Sequence, residues 1–377
     1  MSHRILATVF ALAAFLSVGS AGAGVVSWTS PSSDEEVRSH WTAERLAGAL
    51  PLEMSVLERE EVLPAGIPAK STAGAEGPAF GHAASPPALN VAPDFGNRLF
   101  DPRPAEDLQA ETAKGLGPVT AADVGTSEAP FTSSRLVPLS ADLSYPYRAV
   151  GRLFLQTPDG PFSCSGAVVA PRLVLTAAHC VHSGSGFYSQ FLFVPAYRDG
   201  TAPFGSWILR SIQLPADWLR GASSPHETDY ALLEVRDLKR RRLGDVVGWL
   251  GVQTNRLFPN HVHMLGYPRS FDGGERMHQV TSQSFQQAWK NTVLYGSDLT
   301  RGASGGPWIQ NFGEPATGQE AAANGAVNQI VGISSFRVQD QAARLLGSST
   351  PDDRYTELYG VACKQRPGNC PKTGAGR

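Results

Sequence analysis

Three short stretches carry residue types that could do nucleophilic chemistry together. In "RGASGGPW" (301–308), Ser304 is flanked by Gly302, Gly305 and Gly306, which suits a hydroxyl projecting from a tight turn where backbone approaches a ligand closely. A serine hydroxyl is a poor nucleophile until a neighbouring base takes its proton, and an imidazole does this at neutral pH. "LTAAHC" (175–180) places His179 at the end of an apolar run. The imidazole in turn needs a carboxylate to fix its tautomer and stabilise its charged form, and "ETDYALLEV" (227–235) offers Asp229 where an acid leads into an apolar strand. Each piece also has an ordinary use: a glycine-rich loop as a turn, a histidine as packing, an acid as a solvated strand start. Their joint occurrence in the order His, Asp, Ser points to a catalytic set.

Such a set needs a scaffold, and the chain after Tyr145 reads as short strands separated by turns. "YRAVGRLFLQ" is one strand, and "GAVVAPRLVLTAA" is a hairpin of two apolar runs turning at Ala170-Pro171. "QFLFVPAY", "GSWILRSIQL", "YALLEV", "HVHMLGY" and "QIVGISSF" have similar length and β-branched or aromatic content. Long helical patterns are nearly absent, so the expected class is all-β, of sandwich or barrel type.

The 377 residues, 42% hydrophobic and 18% charged with a net charge of −2, give ample length for one or two packed cores and exclude a fibre or coiled coil. At the start, Arg4 precedes an apolar run from Ile5 to Val18 and the small residues Ala21-Gly22-Ala23. This is the form of a secretory signal over residues 1–23, with a mature start at Gly24 and a secreted or periplasmic destination. The run is shorter than the roughly 20 residues of a spanning helix, so no membrane anchor is expected.

From Gly24 to about Pro130 the chain is rich in Ala, Pro and Gly, with little sustained alternation. Within it "SDEEVRSHWTAERLAGAL" carries a capping box, Ser33 with Glu36, and Val37, Trp41 and Leu46 near helical spacing, which predicts one short amphipathic helix. Residues 24–130 hold 16 acids against 7 bases, and residues 131–377 hold 18 against 24. Opposite signs favour docking of one part on the other, as in a pro-segment that assists folding or masks a site. The expected organisation is a signal at 1–23, a weakly structured acidic pro-segment at 24–135, and two folded units at 136–245 and 246–377.

Four cysteines in an exported chain imply two disulfides. Three pairings exist, and closeness in sequence favours Cys164 with Cys180 and Cys363 with Cys370. No C-x-x-C spacing supports zinc, and His261 with His263 lack a third ligand, so neither metal nor cofactor is expected. The basic run Lys239 to Arg242 has no interleaved aromatics, which argues against nucleic acid.

Together, "CSGAVVAPRLVLTAAHC", "TDYALLEV" and "RGASGGPW" resemble the chymotrypsin-like serine proteases in wording and in order. "YPYRAVGRL" and "MLGYPRSFDGGERM" look like the bacterial branch that includes the glutamyl endopeptidases. The resemblance covers roughly residues 136–365. It implies two six-stranded antiparallel barrels, the first carrying His179 and Asp229 and the second Ser304. It makes Ser304 the nucleophile, His179 the general base and then acid, and Asp229 its orienter, with the backbone N–H groups of Gly302 and Ser304 as the oxyanion hole. Cys164 and Cys180 match the bridge that closes the histidine loop. Protein or peptide substrates and the chain's own pro-segment are the implied partners, and a protease fold reused for binding is the rival.

Specificity follows the resemblance less closely. Asp298, six residues before Ser304, sits where trypsin carries the acid of its pocket, which implies cleavage after Arg or Lys. The glutamyl branch has a threonine after that acid and a histidine in the strand matching "VGISSF", where this chain has Leu299 and Ser334. Arg337 stands where trypsin and chymotrypsin have a glycine, and Ala303 replaces the aspartate that receives a new N-terminus on zymogen activation. Arg135, in "SSRLVPL", is the expected cut site.

Overall fold

The computed structural model describes residues 24–62, 80–104, 106–107, 129–219, 225–288, 291–314, 326–339 and 344–371. The expected signal segment, residues 1–23, lies outside the described residues. Among those described, no helix is long and apolar enough to cross a membrane.

The N-terminal part contributes five short strands: β1 (Val25–Thr29), β2 (Leu50–Pro51), β3 (Ser55–Glu58), β4 (Gly81–His82) and β5 (Phe131–Arg135). Between β1 and β2 lies the expected helix, in two pieces. The first, α1 (Asp34–His40), has both capping-box bonds, Glu36 N–H to Ser33 Oγ at 3.2 Å and Ser33 N–H to Glu36 Oε2 at 2.7 Å. Its chain leaves helical geometry at Trp41, and the Thr42 side chain caps a second turn, α2 (Ala43–Ala47). The break lets Trp41 turn into the core, edge-on to Phe154 with ring centroids 5.8 Å apart.

Six strands then form the first folded unit: β6 (Val150–Thr157), β7 (Gly160–Ala170), β8 (Leu173–Thr176), β9 (Ser189–Pro195), β10 (Trp207–Pro215) and β11 (Ala231–Val235). Their order is β10-β11-β8-β7-β6-β9, every pair is antiparallel, and β9 pairs back onto β10. A barrel closed in this way has no free edge within its ring. Near-continuous burial along β6, β7 and β8 reflects cover on both faces rather than one solvated side. The β7–β8 hairpin turns at Pro171-Arg172, one residue from its expected place.

The second unit is a larger sheet built from β12 (Gly251–Gln253), β13 (His261–Gly266), β14 (His278–Gln287), β15 (Thr292–Gly296), β16 (Pro307–Gln310), β17 (Gln329–Ile333), β18 (Phe336–Gln339) and β19 (Leu345–Ser349). With β3, β4 and β5 added, it has eleven strands in the order β3-β18-β19-β15-β14-β13-β16-β17-β12-β4, and β5 on β14. The class is the expected all-β one. The second unit has eight strands of its own and reaches eleven because the N-terminal part supplies three more. Likewise β1 lies antiparallel on β10 and β2 lies parallel on β7.

After β19 the chain forms a 13-residue helix, Asp353–Gln365, that the sequence reading did not anticipate. Tyr355, Leu358, Tyr359 and Ala362 are its buried face and join the core of the first barrel. A disulfide, Cys363 to Cys370, closes the chain just after it.

The two units meet around a buried ion pair. Arg152 of β6 donates to Glu275, from the segment before β14, at 2.8 Å, and each side chain is 1% exposed. The Tyr197 hydroxyl also donates to Glu275, and Arg152 reaches Ser163 Oγ at 3.0 Å and the Ala49 carbonyl at 3.3 Å.

Candidate active site

His179 sits on a single 3-10 turn, Ala178–Cys180, that follows β8. The next residue, Cys180, is bonded to Cys164 in β7, so the turn is tied back to the barrel wall on the side of the imidazole. Asp229 comes from the residue pair just before β11, which lies antiparallel to β8. Strand pairing therefore brings together residues 50 positions apart.

Asp229 is 1% exposed and its carboxylate accepts three bonds. The His179 backbone N–H gives one to Oδ1 at 2.9 Å, His179 Nδ1 gives one to Oδ2 at 2.7 Å, and the Ser335 hydroxyl gives another to Oδ2. Its own N–H donates to Ser349 Oγ at 3.0 Å. Burial alone would raise this carboxyl, but the His179 charge and the bonds from His179 and Ser335 outweigh it and hold the group below the usual carboxylate value. Because Nδ1 must carry its proton toward a carboxylate, Nε2 is left as the acceptor of the neutral ring. Nε2 is buried and has no hydrogen-bond partner among the described residues.

Ser304 lies on the turn before β16 and is fully buried, and its Oγ is likewise a buried hydroxyl without a partner. Backbone contacts tie the Ser304 turn to β7, the strand whose Cys164 is bonded to the cysteine next to His179. Ser165 donates its N–H to the Ser304 carbonyl at 2.8 Å and its hydroxyl to the Gly302 carbonyl at 2.8 Å, and Ser165 follows Cys164, the cysteine bonded beside His179. Gly305, at φ +77°, allows this approach: a Cβ there would stand 2.1 Å from Thr176 Oγ1 and 2.5 Å from the Ser165 carbonyl oxygen. Gly302, at φ +88°, would clash with the Tyr267 carbonyl oxygen at 2.6 Å. Among the described residues, His179 Nε2 and Ser304 Oγ are thus both buried polar atoms without a hydrogen-bond partner, which in a native protein calls for an explanation.

The expected oxyanion donor at Gly302 already has an acceptor. Its N–H donates to the carbonyl of Leu52, from the N-terminal part, at 3.2 Å. The cavity beside the imidazole is lined by His179, His182, Trp218 and His226 together with Leu52 and Glu53.

The specificity candidates divide. Leu299 is fully buried among the apolar side chains of the second sheet, and the Ser334 hydroxyl accepts from Trp308 Nε1 at 3.0 Å, so both face inward as packing. Asp298 and Arg337 do lie near each other. Burial, with Arg301 and Arg344 adding like charge, pushes the Arg337 guanidinium down from its ordinary value, and Asp298 opposes them. Arg301 also forms an ion pair with Glu53. The acid expected to read basic side chains thus interacts with the protein's own Arg337.

Arg135 is the last residue of β5, paired with His278 of β14, and its guanidinium grips Asp272 through Nε at 2.9 Å and through Nη2. Cutting after it requires that end of the strand to peel from the sheet. His263 stacks on Phe312 at 4.2 Å and bonds Gln279 at 3.1 Å, while His261 is exposed. Both disulfides pair locally. Cys164, His179 and Cys180 also offer ligand-type atoms within 4.8 Å of one another, but the two sulfurs are joined to each other.

Ser335 and Ser349, which brace Asp229, were not legible as site residues, because a serine in a strand carries no signal of its partner. The Leu52 contact had no sequence signal either.

Residues 164–315 match the family model of the trypsin-like peptidase domain, a stretch that contains His179, Asp229 and Ser304. The chain is 29% identical over 168 residues to a glutamyl endopeptidase of Bacillus licheniformis, covering 44% of this chain and 49% of that protein. It is 26% identical over 198 residues to an extracellular metalloprotease of Bacillus subtilis, covering 49% of this chain and 58% of that one. It thus spans about half the length of these relatives, 49% and 58%. Among solved structures, a thermostable serine protease AL20 from an extremophilic microorganism superposes with a TM-score of 0.50 at 23% identity, over 58% of this chain and 98% of that chain. That last likeness is one of fold.

Proposed function

We propose that residues 164–315, which match the model of the trypsin-like peptidase domain, form such a domain, and that the chain is an exported serine endopeptidase in which Ser304, His179 and Asp229 do the chemistry. The observation that carries this reading is the Asp229–His179 pair, whose remaining ring nitrogen and the Ser304 hydroxyl are two buried polar atoms without partners among the described residues. Ser304 Oγ attacks a peptide carbonyl while its proton passes to His179 Nε2, and Asp229 stabilises the imidazolium. The N–H groups of Gly302 and Ser304 receive the oxygen as it gains charge. His179 then gives its proton to the departing amine, and water releases the acyl group from Ser304 by the same route reversed.

The charges near Asp298 bear on the choice of substrate. Arg337 already interacts with Asp298, so a basic substrate side chain would compete with it for that carboxylate, which counts against cleavage after Arg or Lys. An acidic or uncharged side chain fits this charge balance better, in line with the glutamyl activity named for one relative. The test is hydrolysis of a mixed peptide library by the activated protein, by Ser304→Ala and by His179→Ala. Wild type alone should cut, each variant should lose at least about a thousandfold, and the new C-termini should be poor in Arg and Lys. Equal cutting by Ser304→Ala would remove the mechanism, and products ending mainly in Arg or Lys would remove the specificity. Absence of cutting in all three would favour a binding protein on a protease fold.

A further inference from the structure

Residues 50–58 run across the candidate cleft and touch both folded units on the way. Leu50 and Pro51 pair parallel with Phe162 and Ser163 of β7, and the Leu52 N–H donates to the Ser163 carbonyl at 2.8 Å. The Leu52 carbonyl then accepts from Gly302, two residues before Ser304. Glu53 pairs with Arg301, and Met54 is buried in the apolar core of the second sheet. From Ser55 to Glu58 the segment lies parallel to Phe336–Gln339 as an added strand. Phe336 directly follows Ser335, the residue that holds Asp229.

We propose that this stretch is an inhibitory strap: in the intact chain it occupies the substrate groove and takes the Gly302 donor, so the peptidase is latent until the strap leaves. The proposal rests on the serine-peptidase reading for its consequence, but the occupancy itself stands on backbone contacts. A bare strand edge beside the site is the natural dock for an extended peptide, through main-chain hydrogen bonds with side chains as anchors. The strap uses that edge along β18 with Met54 as its apolar anchor and Glu53 as its charged one. Its fit needs no partner molecule, because the segment is tethered at millimolar-scale effective concentration.

Direction keeps the strap from being an ordinary substrate. β18 runs away from the Ser304 turn, whose Gly305 N–H bonds the Ser334 carbonyl at 2.8 Å. A peptide whose acyl side lay on β18 would therefore run antiparallel to it. The strap runs parallel, so the residues after Leu52, on the leaving-group side of that carbonyl, are the ones held by β18. A bond severed at Leu52 would leave both flanks held, one by β7 and the other by β18. The strap is also anchored upstream: β1 is paired with β10, Arg236 binds Asp34, and Arg236 donates to the Ser32 carbonyl at 2.7 Å. These pairs of acid with base run in the sense of the charge difference between the two parts of the sequence.

The test uses the full-length chain, with Val56→Pro and Met54→Asp as separate variants that loosen the strap without touching the triad. Two readouts are taken from each sample: the rate of fluorophosphonate attachment at Ser304, against Ser304→Ala, and amide hydrogen exchange along 300–304 and 331–339. Each loosened variant should label at least about tenfold faster than wild type and lose protection at Gly302 and along Phe336–Gln339. Wild type labelling as fast as both variants would overturn the latency while leaving the serine reading intact. If nothing labels, the serine reading fails and exchange decides: unchanged protection in both variants would overturn the strap, and lost protection would support its occupancy of the groove. Exchange at 207–215 in β10 should stay unchanged, separating strap release from unfolding.

Discussion

At the scale of single residues, the site depends on a carboxylate buried almost completely and still charged. Asp229 tolerates this through three donors, two from His179 and one from Ser335. Its carboxyl is held below the ordinary value, so the stability it contributes is full above about pH 4 and is lost as pH falls through the depressed value. Asp229→Asn should flatten the acid limb of a plot of Tm against pH and lower turnover by about four orders of magnitude through the wrong imidazole tautomer. Ser335→Ala removes one donor to a charged acceptor and should cost about 1.5–3 kcal/mol of stability, with the acid limb moved to higher pH. An acid limb unchanged in both variants would mean that Asp229 is not the group titrating there. His179, Asp229 and Ser304 stand out in the sequence as candidates because each sits in a run of characteristic neighbours. Ser335 does not, since nothing local to "VGISSF" says which carboxylate its hydroxyl will meet.

At the scale of elements, two disulfides of similar form do different things. Cys164–Cys180 ties the turn bearing His179 to β7, whereas Cys363–Cys370 ties the last turn of the C-terminal helix to the chain that follows it, packed against the core of the first barrel. Replacing Cys363 and Cys370 by Ala should lower stability by about 2–4 kcal/mol with turnover at 25 °C nearly unchanged. Replacing Cys164 and Cys180 should lower both, and urea unfolding beside peptide hydrolysis separates the cases. Equal loss of turnover in the two pairs would refute the division. The strands of the first barrel were readable because apolar runs such as "YALLEV" end at evident turns. β14, with the sequence "HQVTSQSFQQ", was not: its glutamines and serines become strand only because β13, β15 and β5 pair with it. The C-terminal helix was overlooked although Tyr355, Leu358, Tyr359 and Ala362 repeat at helical spacing, because its Gly and Thr residues weaken helix propensity.

At the scale of the whole molecule, the candidate site lies between two units that share many polar contacts, several of them buried. Arg152 and Glu275 form a buried ion pair among these, and removing one partner leaves the other charged and unpaired in the interface. Glu275→Leu should therefore cost about 3–5 kcal/mol, while the double replacement Arg152→Met with Glu275→Leu should recover much of that loss. A double variant no more stable than the single would show that the charge is not what the single change exposes. The N-terminal part belongs to this scale as well. Its composition suggested a linker, and its acidity suggested docking; residues 25–58 dock strand by strand on both units, which no local pattern announced because β2 and β3 are too short to alternate.

The central claim is that Ser304 is a nucleophile activated by His179, and it is tested most directly by mapping a covalent adduct. The full-length Val56→Pro chain is treated with a fluorophosphonate, digested and sequenced by mass spectrometry, beside the same chain carrying His179→Ala. The account predicts one adduct, on Ser304, with its rate of formation falling at least about a hundredfold when His179 is lost. An adduct elsewhere, or one on Ser304 that forms as fast without His179, would contradict it.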